Sequence, residues 1–405
     1  MNELNHLQLF KMVFKKILII RQSAIGDIIL TTPLVRAVRF AYPDAQMDFL
    51  TNQEFIDLVR HNPHISKVIA YDKKTGFAGL YALKKQLMAE KYDWIIDLHN
   101  SLRSRFLRLF SGILSDVKEI SIYEKPYIAR KLLINFKKDI YPKPYKKVLF
   151  KYFDAVSNGN LNKNIDKNIQ YDGKGTEVFF GEINNQNIDN LLGNKTYINT
   201  NITTNIITIC PAASAFTKQW LPEYFAKLIV NLLSYYNIDN QQNNQQNNQK
   251  NDQNSVKIVL LGGKADIFVC ENIIKMVMEM LTISNKNTSE LVVSQVISNI
   301  ISLAGKCNLL DSAALLARSK VVITNDTGMM HLAEAQNKPV LAIFGSTVEA
   351  FGFYPFLEKS EVVEQKLACR PCSQSGESAC PKGHFKCMRD VLPEKIYEIA
   401  IKMML

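Results

Sequence analysis

The chain is predicted to be a doubly wound α/β protein with two domains, and three observations predict it. Short β-branched or apolar runs alternate with helix-period runs through both halves. The turns that follow the strands carry small, polar and glycine residues. At 405 residues the chain is long enough for two cores, and alternation of this kind folds as parallel sheets covered by helices.

In the first half, Ile17–Ile20 reads as a buried strand and Ile28–Phe40 as an amphipathic helix, with Pro33 in an early turn. Met47–Leu50 is a short strand, Phe55–Arg60 is helical, and Lys67–Ala70 is a strand. Leu80–Glu90 follows as a helix and Trp94–Leu98 as a strand. Residues 158–205, rich in Asn and Gly with weak periodicity, read as the inter-domain region. The alternation resumes at Ile206–Ile209, with a helix near Pro222–Tyr235. Residues 238–254 (IDNQQNNQQNNQKNDQN, starting at 238) are too polar to bury and are expected to form a disordered surface loop. Val256–Leu261 is a strand, and Pro393–Met404 an amphipathic helix. The boundaries expected are a first domain over 1–172, a linker over 173–205, a second domain over 206–390 and a terminal helix over 391–405.

The composition, 47% hydrophobic and 21% charged, is that of a water-soluble globular protein. No apolar run approaches the roughly 20 residues of a membrane span. Lys11, Lys15 and Lys16 interrupt the N-terminal stretch, so a signal peptide is not expected, whether reading starts at Met1 or Met12. A cytoplasmic location follows. The net charge of +11 is uneven. Residues 1–150 hold 25 Lys+Arg against 14 Asp+Glu, whereas the rest hold 24 against 24. Within 101–150 the balance is 12 against 4. The first half therefore either meets an anionic partner or surface, for which phospholipid or a phosphorylated lipid would serve, or carries a solvated basic face. No nucleic-acid-binding motif appears, and nucleic acid is not expected as a partner.

The most informative stretch is VVITNDTGMMHLAEAQNKPVLAIFGS, residues 321–346. Strand, polar turn, helix and strand make a βαβ unit whose turn lies at the carboxyl end of a parallel strand. Thr327 offers a hydroxyl, Gly328 close backbone approach, and the helix start free N–H groups suited to a diphosphate; His331 lies in the first helical turn. The alternative is an ordinary capped helix. A second strand–turn–helix, ILIIRQSAIGDIILTTPLVRAV, carries Arg21, Ser23, Gly26 and Asp27, and lacks the G-x-G-x-x-G of a dinucleotide loop. Asp27 is either a general base toward a hydroxyl or a helix cap. In CPAASAFTKQWLPEYFAKLI (210–229), Ser214 and Lys218 stand where phosphate oxygens could bind, or Trp220 simply anchors a helix beside a solvated lysine. In LLGGKAD (260–266) the glycines admit a ligand and Asp266 could accept ribose hydroxyls.

Taken together, S-A-I-G-D-I, T-K-Q-W-L-P-E, L-L-G-G, L-A-G-K, N-D-T-G-M-M-H-L-A and F-G-S-T resemble, in order, the lipopolysaccharide heptosyltransferase family (glycosyltransferase family 9). The resemblance runs from about Lys16 to the C-terminus. It implies a GT-B architecture, with two Rossmann-like domains facing a central cleft. It also implies inverting, metal-independent transfer of a sugar, typically heptose from ADP-heptose, onto the inner core of a Kdo-bearing lipid A acceptor. Carried over, Asp27 is the base on the acceptor hydroxyl, and Lys218 meets charge on the leaving diphosphate. Ser214, Asp266, Asp326, Thr327, Gly328 and His331 bind the donor. Ser23, Gly26, Asn100, Arg103 and Arg105 bind the acceptor. Because that acceptor is a polyanionic membrane lipid, the resemblance also implies contact with the cytoplasmic face of the inner membrane. Departures are the 238–254 insertion, a short N-terminal extension, and Ala212-Ala213 where the family often has Gly or Thr.

Four cysteines, Cys369, Cys372, Cys380 and Cys387, cluster as C-x2-C-x7-C-x6-C with His384 among them. A structural zinc knot and free loop thiols are both open, and the family's chemistry needs no metal cofactor. Two other functions fit the fold. One is a nucleotide-sugar enzyme of different outcome, such as an epimerase, against which Asp27 and the basic acceptor face argue. The other is an inactive binding protein, against which Asp27, Lys218 and D-T-G-x-x-H argue.

Overall fold

The structure, a computed structural model, describes residues 13–109, 117–157, 169–193, 205–246, 256–284 and 297–405, without the side chains of 237–246 and 284. The chain forms two compact units. The first is Met1–Pro126 with Lys146–Val178, and the second is Tyr127–Tyr145 with Phe179–Leu405.

In the first unit, β1 (Lys16–Ile20), β2 (Gln46–Asn52), β3 (Lys67–Tyr71), β4 (Trp94–Asp97) and β5 (Glu119–Ile122) form one sheet in the order β3-β2-β1-β4-β5. Every pairing is parallel, with Ile17 beside Met47 on one side and Trp94 on the other. Such a sheet is covered on both faces, which is why β1 and β4 are apolar runs rather than alternating ones. The helix expected over Ile28–Phe40 is two helices, α1 (Ile25–Ile29) and α2 (Thr32–Ala41). Pro33 lacks an N–H and favours the first turn of a new helix, and the Thr31 and Thr32 hydroxyls donate to the carbonyls of Ile28 and Ile29 at the break. Arg36, buried on α2, ties in the end of the unit: its guanidinium bonds Asp172 at 2.7 Å, Glu177 at 2.5 Å and the Gly175 carbonyl at 2.9 Å.

In the second unit, β6 (Asn205–Cys210), β7 (Val256–Leu260), β8 (Ile300–Ser302), β9 (Ser319–Asn325), β10 (Val340–Phe344) and β11 (Glu361–Glu364) run in the order β11-β10-β9-β6-β7-β8, again all parallel. Both sheets therefore reverse winding direction between their first and fourth strands, β1/β4 and β6/β9. That is the point at which open α/β sheets bind ligands beyond the carboxyl ends of the strands. Trp220 is buried in this core, and its indole N–H donates to the Val391 carbonyl at 2.8 Å. The terminal helix Pro393–Met404 buries Ile396, Ala400 and Met404, the bounds and face its periodicity predicts.

Three expectations need correction. Residues 179–193 are not linker: the helix Glu182–Leu191 packs in the second unit, where Asn184 and Asn187 donate to Asp311 and Arg318 pairs with Asp189. The low-complexity run is not all loop, because the helix begun at Pro222 continues through Gln246. Uncharged Asn and Gln can propagate an established helix even where they cannot nucleate one; residues 247–255 lie outside the described residues. Finally, Tyr127–Tyr145, expected in the first domain, groups with the second unit. Its Leu133 and Tyr141 are buried against Ala350 and Phe351. The pairing joins residues more than 200 positions apart, which no local pattern reveals.

The grouping changes the charge distribution. The first unit holds 24 Lys+Arg against 17 Asp+Glu, and the second 25 against 21. The whole +4 excess of the second unit lies in residues 127–145, with 5 basic residues against 1 acidic. Leu133→Ala is expected to destabilise the second unit by about 2 kcal/mol, the lower end for deleting a buried leucine side chain. Hydrogen exchange should quicken at residues 340–351 while β1 and β4 keep their protection.

Candidate active site

In the first unit, the residues singled out after β1 and β4 converge. Asp27 sits in the first turn of α1, but it does not cap the helix: the N-cap is Ala24, which makes no side-chain bond. Instead the carboxylate faces Arg21 Nη2 at 2.5 Å, and the Tyr152 hydroxyl donates to its Oδ1 at 3.3 Å. Arg21 is buried at the end of β1, where Nε donates to the Ser23 carbonyl at 2.8 Å and Nη1 to the Leu98 carbonyl at 2.6 Å. Burial opposes its charge, yet Asp27 and the Tyr152 and Tyr123 phenols outweigh burial and raise its pKa. Tyr152 is fully buried on the helix Val148–Ser157; burial, with Asp27 adding to it, pushes its pKa well above the ordinary phenol value. The phenol thus stays a donor, and arginine and tyrosine together fix the carboxylate's direction.

His99, just past β4, faces the same group. Burial, then the positive charges of Arg21 and Lys125, hold its pKa down to about 3, so the imidazole is neutral near pH 7. The neighbouring Asn100 has a left-handed φ of 43°, which asparagine tolerates. Its amide is committed to the fold: Nδ2 donates to the Tyr123 carbonyl, and Oδ1 accepts from Arg105 Nε at 3.0 Å and Arg108 Nη2 at 3.3 Å. Asn100 is buried and organises the loop, while Arg103 and Arg105 on the helix Leu102–Arg108 are exposed. Ser23 and Gly26 are half-buried beside Asp27.

In the second unit, Lys218 and Asp326 meet. Their Nζ–Oδ2 distance is 2.8 Å, both side chains are largely buried, and the Thr347 hydroxyl donates to the same oxygen at 2.7 Å. Lys218 comes from the turn after β6, Asp326 from the turn after β9, and Thr347 from the turn after β10. Asn325 sets the spacing: its Nδ2 donates to the Pro211 carbonyl at 2.6 Å and its Oδ1 accepts from the Trp220 N–H at 3.1 Å. Thr327 caps the helix Gly328–Ala335, accepting from the Met329 N–H at 3.2 Å. His331 is buried on that helix, its Nδ1 3.8 Å from Glu334 Oε2, and Glu334 Oε1 accepts from the Phe356 and Leu357 N–H groups. Ser214 is exposed in the turn after β6. Asp266 is half-buried and its Oδ2 accepts from the Gly263 N–H at 2.7 Å, so it closes the turn that starts the next helix.

Sequence reasoning names Arg21 without a role and misses Tyr152, His99 and Thr347. Thr347 lies within F-G-S-T and could be found there; Tyr152 has no motif around it. The spacing of the cysteines leaves a metal knot and free loop thiols both open and gives no sign that their segment builds the Lys218 turn. Glu377 N–H donates to the Thr217 hydroxyl at 2.7 Å, and Gly376, at φ +95°, lies where a Cβ would come within 3.0 Å of the Lys218 side chain. Gly345 is equally constrained, since a Cβ there would sit 2.5 Å from the Thr217 carbonyl. The four cysteines are free thiols; Cys369 Sγ lies 3.7 Å from His384 Nε2, and burial pushes Cys387 up to about 11. Among the described residues no group of three or more His, Cys, Asp or Glu side chains is arranged to hold a metal ion. Nor, among the described residues, is any helix long and apolar enough to cross a membrane.

A family profile described as glycosyltransferase family 9 (heptosyltransferase) matches residues 80–238 and 248–382. The lipooligosaccharide heptosyltransferase 2 of Haemophilus influenzae is 24% identical, over 94% of this chain and 97% of its own length. Among solved structures, a family 9 glycosyl transferase from Veillonella parvula superposes with a TM-score of 0.70 at 18% identity, covering 97% of this chain and 98% of its own. The E. coli heptosyltransferase WaaC with ADP-2-deoxy-2-fluoro heptose gives 0.57 at 16% identity, over 96% and 99%. The fold shared with them is GT-B, built from two Rossmann-like units. The profile spans most of the chain, so the protein belongs to glycosyltransferase family 9, the heptosyltransferases, and is a glycosyltransferase.

Proposed function

We propose that the protein transfers heptose from ADP-heptose to the inner core of a lipopolysaccharide acceptor with inversion at the sugar carbon. The observation that carries the reading is the pair of preorganised charged groups, one at the switch point of each sheet: Asp27 held by Arg21 and Tyr152, and Lys218 held by Asp326. Family membership supports the donor, as does the likeness to WaaC, which was solved with ADP-2-deoxy-2-fluoro heptose.

Asp27 Oδ takes the proton of the acceptor hydroxyl as its oxygen bonds to the anomeric carbon, and the carbon–oxygen bond to the diphosphate breaks with its electron pair leaving on ADP. Lys218 supplies positive charge where the leaving diphosphate becomes more negative. Asp326 holds the lysine ready, and Thr347 holds Asp326. Thr327, Gly328 and the following N–H groups receive phosphate oxygens, His331 and Ser214 complete the donor pocket, and Asp266 shapes its edge by holding the turn at Gly263. Ser23 and Gly26 bound the acceptor hydroxyl, with Arg103 and Arg105 presenting charge to the acidic core sugars and Asn100 fixing Arg105. Neutral His99 can accept or donate a hydrogen bond to the acceptor without adding charge beside Arg21.

Three experiments test this. Asp27→Asn should lower kcat on the order of 10²- to 10⁴-fold with ADP affinity unchanged, while Tyr152→Phe, losing only orientation, should lower it about tenfold. An Asp27→Asn enzyme of near wild-type rate would return the carboxylate to a purely structural role.

Thermal protection reads the donor site directly. ADP at about 100 times its Kd should stabilise the protein by about 2.7 kcal/mol through binding linkage, and Lys218→Ala and Asp326→Ala should weaken that protection. Protection by another nucleotide but not by millimolar ADP would replace the donor.

The acceptor assignment predicts a salt effect. Acceptor KM should rise with ionic strength, and Arg103→Ala/Arg105→Ala should raise it severalfold at fixed salt with donor KM unchanged. Equal effects of salt and of the double variant on both substrates would remove support for a polyanionic acceptor at these arginines.

A further inference from the structure

The cysteine-bearing segment holds a buried arginine to which the transfer chemistry gives no task. Arg370 lies beyond the ends of β10 and β11. Its Nη2 donates to the Thr347 carbonyl at 2.6 Å and to Glu364 Oε2 at 2.6 Å, and its Nη1 donates to the Gln365 carbonyl. Glu364, the last residue of β11, also accepts from the Tyr354 hydroxyl, so the acidic partner is itself fixed. Two residues after Arg370, the Cys372 N–H donates to the Ser346 carbonyl at 3.1 Å, and the Ser346 N–H donates to the Thr217 carbonyl at 3.2 Å. The turn after β10 is thus gripped at two consecutive residues.

That grip bears on the donor lysine. The Thr347 hydroxyl, on the residue whose carbonyl Arg370 holds, donates to Asp326 Oδ2, and the same oxygen faces Lys218 Nζ. The stem of Lys218 has little freedom of its own, because Cγ and Cδ run against Gly376, where an added Cβ would stand 3.0 Å from each. What remains to be set is the direction of the ammonium, and Asp326 sets it. We propose that Arg370 is a positioning residue for sugar transfer, acting through Thr347 and Asp326 on Lys218. A guanidinium suits the task because its donors form a rigid planar fork, so one group holds two carbonyls and a carboxylate together. A displacement on the order of 1 Å, caused far from the chemistry, can cost up to about 10²-fold in rate, so the relay has something to protect. This role rests on the assignment of Lys218 to the leaving diphosphate.

A double-mutant cycle on the full-length protein, with ADP-heptose and a lipopolysaccharide acceptor, tests it. Arg370→Met and Thr347→Val should each lower kcat about tenfold with donor KM within about twofold of wild type, and Thr347→Ser should recover most of the valine variant's loss. Because both residues act through one hydroxyl, the double variant should also be about tenfold slower rather than about a hundredfold. Lys218 reports independently of turnover. Acetic anhydride should acetylate it severalfold faster in both single variants, read by peptide mass, while Lys16, paired with Glu90 in the first unit, keeps its wild-type rate. Arg370→Lys keeps a charge beside Glu364 but not the fork, and takes the methionine variant's place in the cycle should that one not fold. Losses that multiply, or a lowered thermal transition with kcat and Lys218 acetylation at wild-type values, would make Arg370 a strand-end brace and overturn the proposal. A Lys218→Ala enzyme of wild-type rate would sink the reading of the lysine beneath it, whereas a slow Lys218→Ala enzyme beside an Arg370→Met enzyme of wild-type rate sinks this proposal alone.

Discussion

The Asn325 side chain bonds in two directions, to the carbonyl of Pro211 and the N–H of Trp220, and the geometry of the second unit's site follows from it. Two parallel strands end side by side at β6 and β9, and the chain leaves both ends in turns with unpaired backbone groups. One amide, with a donor and an acceptor on the same carbon, closes both turns at once. With that bridge made, Lys218 and Asp326 emerge within ion-pair distance. A carboxylate at position 325 could accept from Trp220 but could not donate to Pro211, so the function of the asparagine is geometric rather than electrostatic.

Arg21 has the matching task in the first unit. Its guanidinium reaches the Leu98 carbonyl beyond β4, the Ser23 carbonyl in the turn after β1, and the Asp27 carboxylate. A buried guanidinium is costly unless its donors are satisfied, and here two carbonyls and a carboxylate satisfy it. The two units thus solve one problem differently, one with a neutral amide and one with a cation, at equivalent points in the same strand order.

How much of this is legible in the sequence depends on the range of the interactions involved. The strands β1, β4, β6, β9 and β10 are apolar runs bounded by polar turns, and a local window suffices to see them. The short strands β5, β8 and β11 are not: Glu119–Ile122 and Glu361–Glu364 carry charged ends and lie at sheet edges, where neighbours rather than intrinsic pattern decide. The break at Leu30–Thr31 is visible in Pro33, but the apolar spacing runs through it and suggests one continuous helix. In the site, Asp27, Lys218 and Asp326 are marked by motif and turn chemistry. Tyr152 is not, because it reaches Asp27 from 125 residues away through a helix whose sequence only says that it is buried. Asn100 and Asp266 look ligand-facing from their polarity alone; the structure has already committed one to the Tyr123 carbonyl and Arg105, and the other to the Gly263 N–H. Polarity says that a partner is needed, and only three-dimensional contact says whether the chain itself provides it.

The excursion of Tyr127–Tyr145 into the second unit also sets the order in which the molecule can be completed. The segment leaves the ribosome with the first unit, but Ala350 and Phe351, against which Leu133 and Tyr141 pack, are made about 200 residues later. At synthesis rates of roughly 5–20 residues per second, that interval is about 10–40 s. Through it, a helix bearing leucine, isoleucine, tyrosine and phenylalanine waits with both faces uncovered, joined at each end to a unit able to fold before it. The nascent chain is thus most exposed to chaperones and to wrong contacts at its middle rather than at its growing end, and neither half can be made without the other by cutting the polypeptide once.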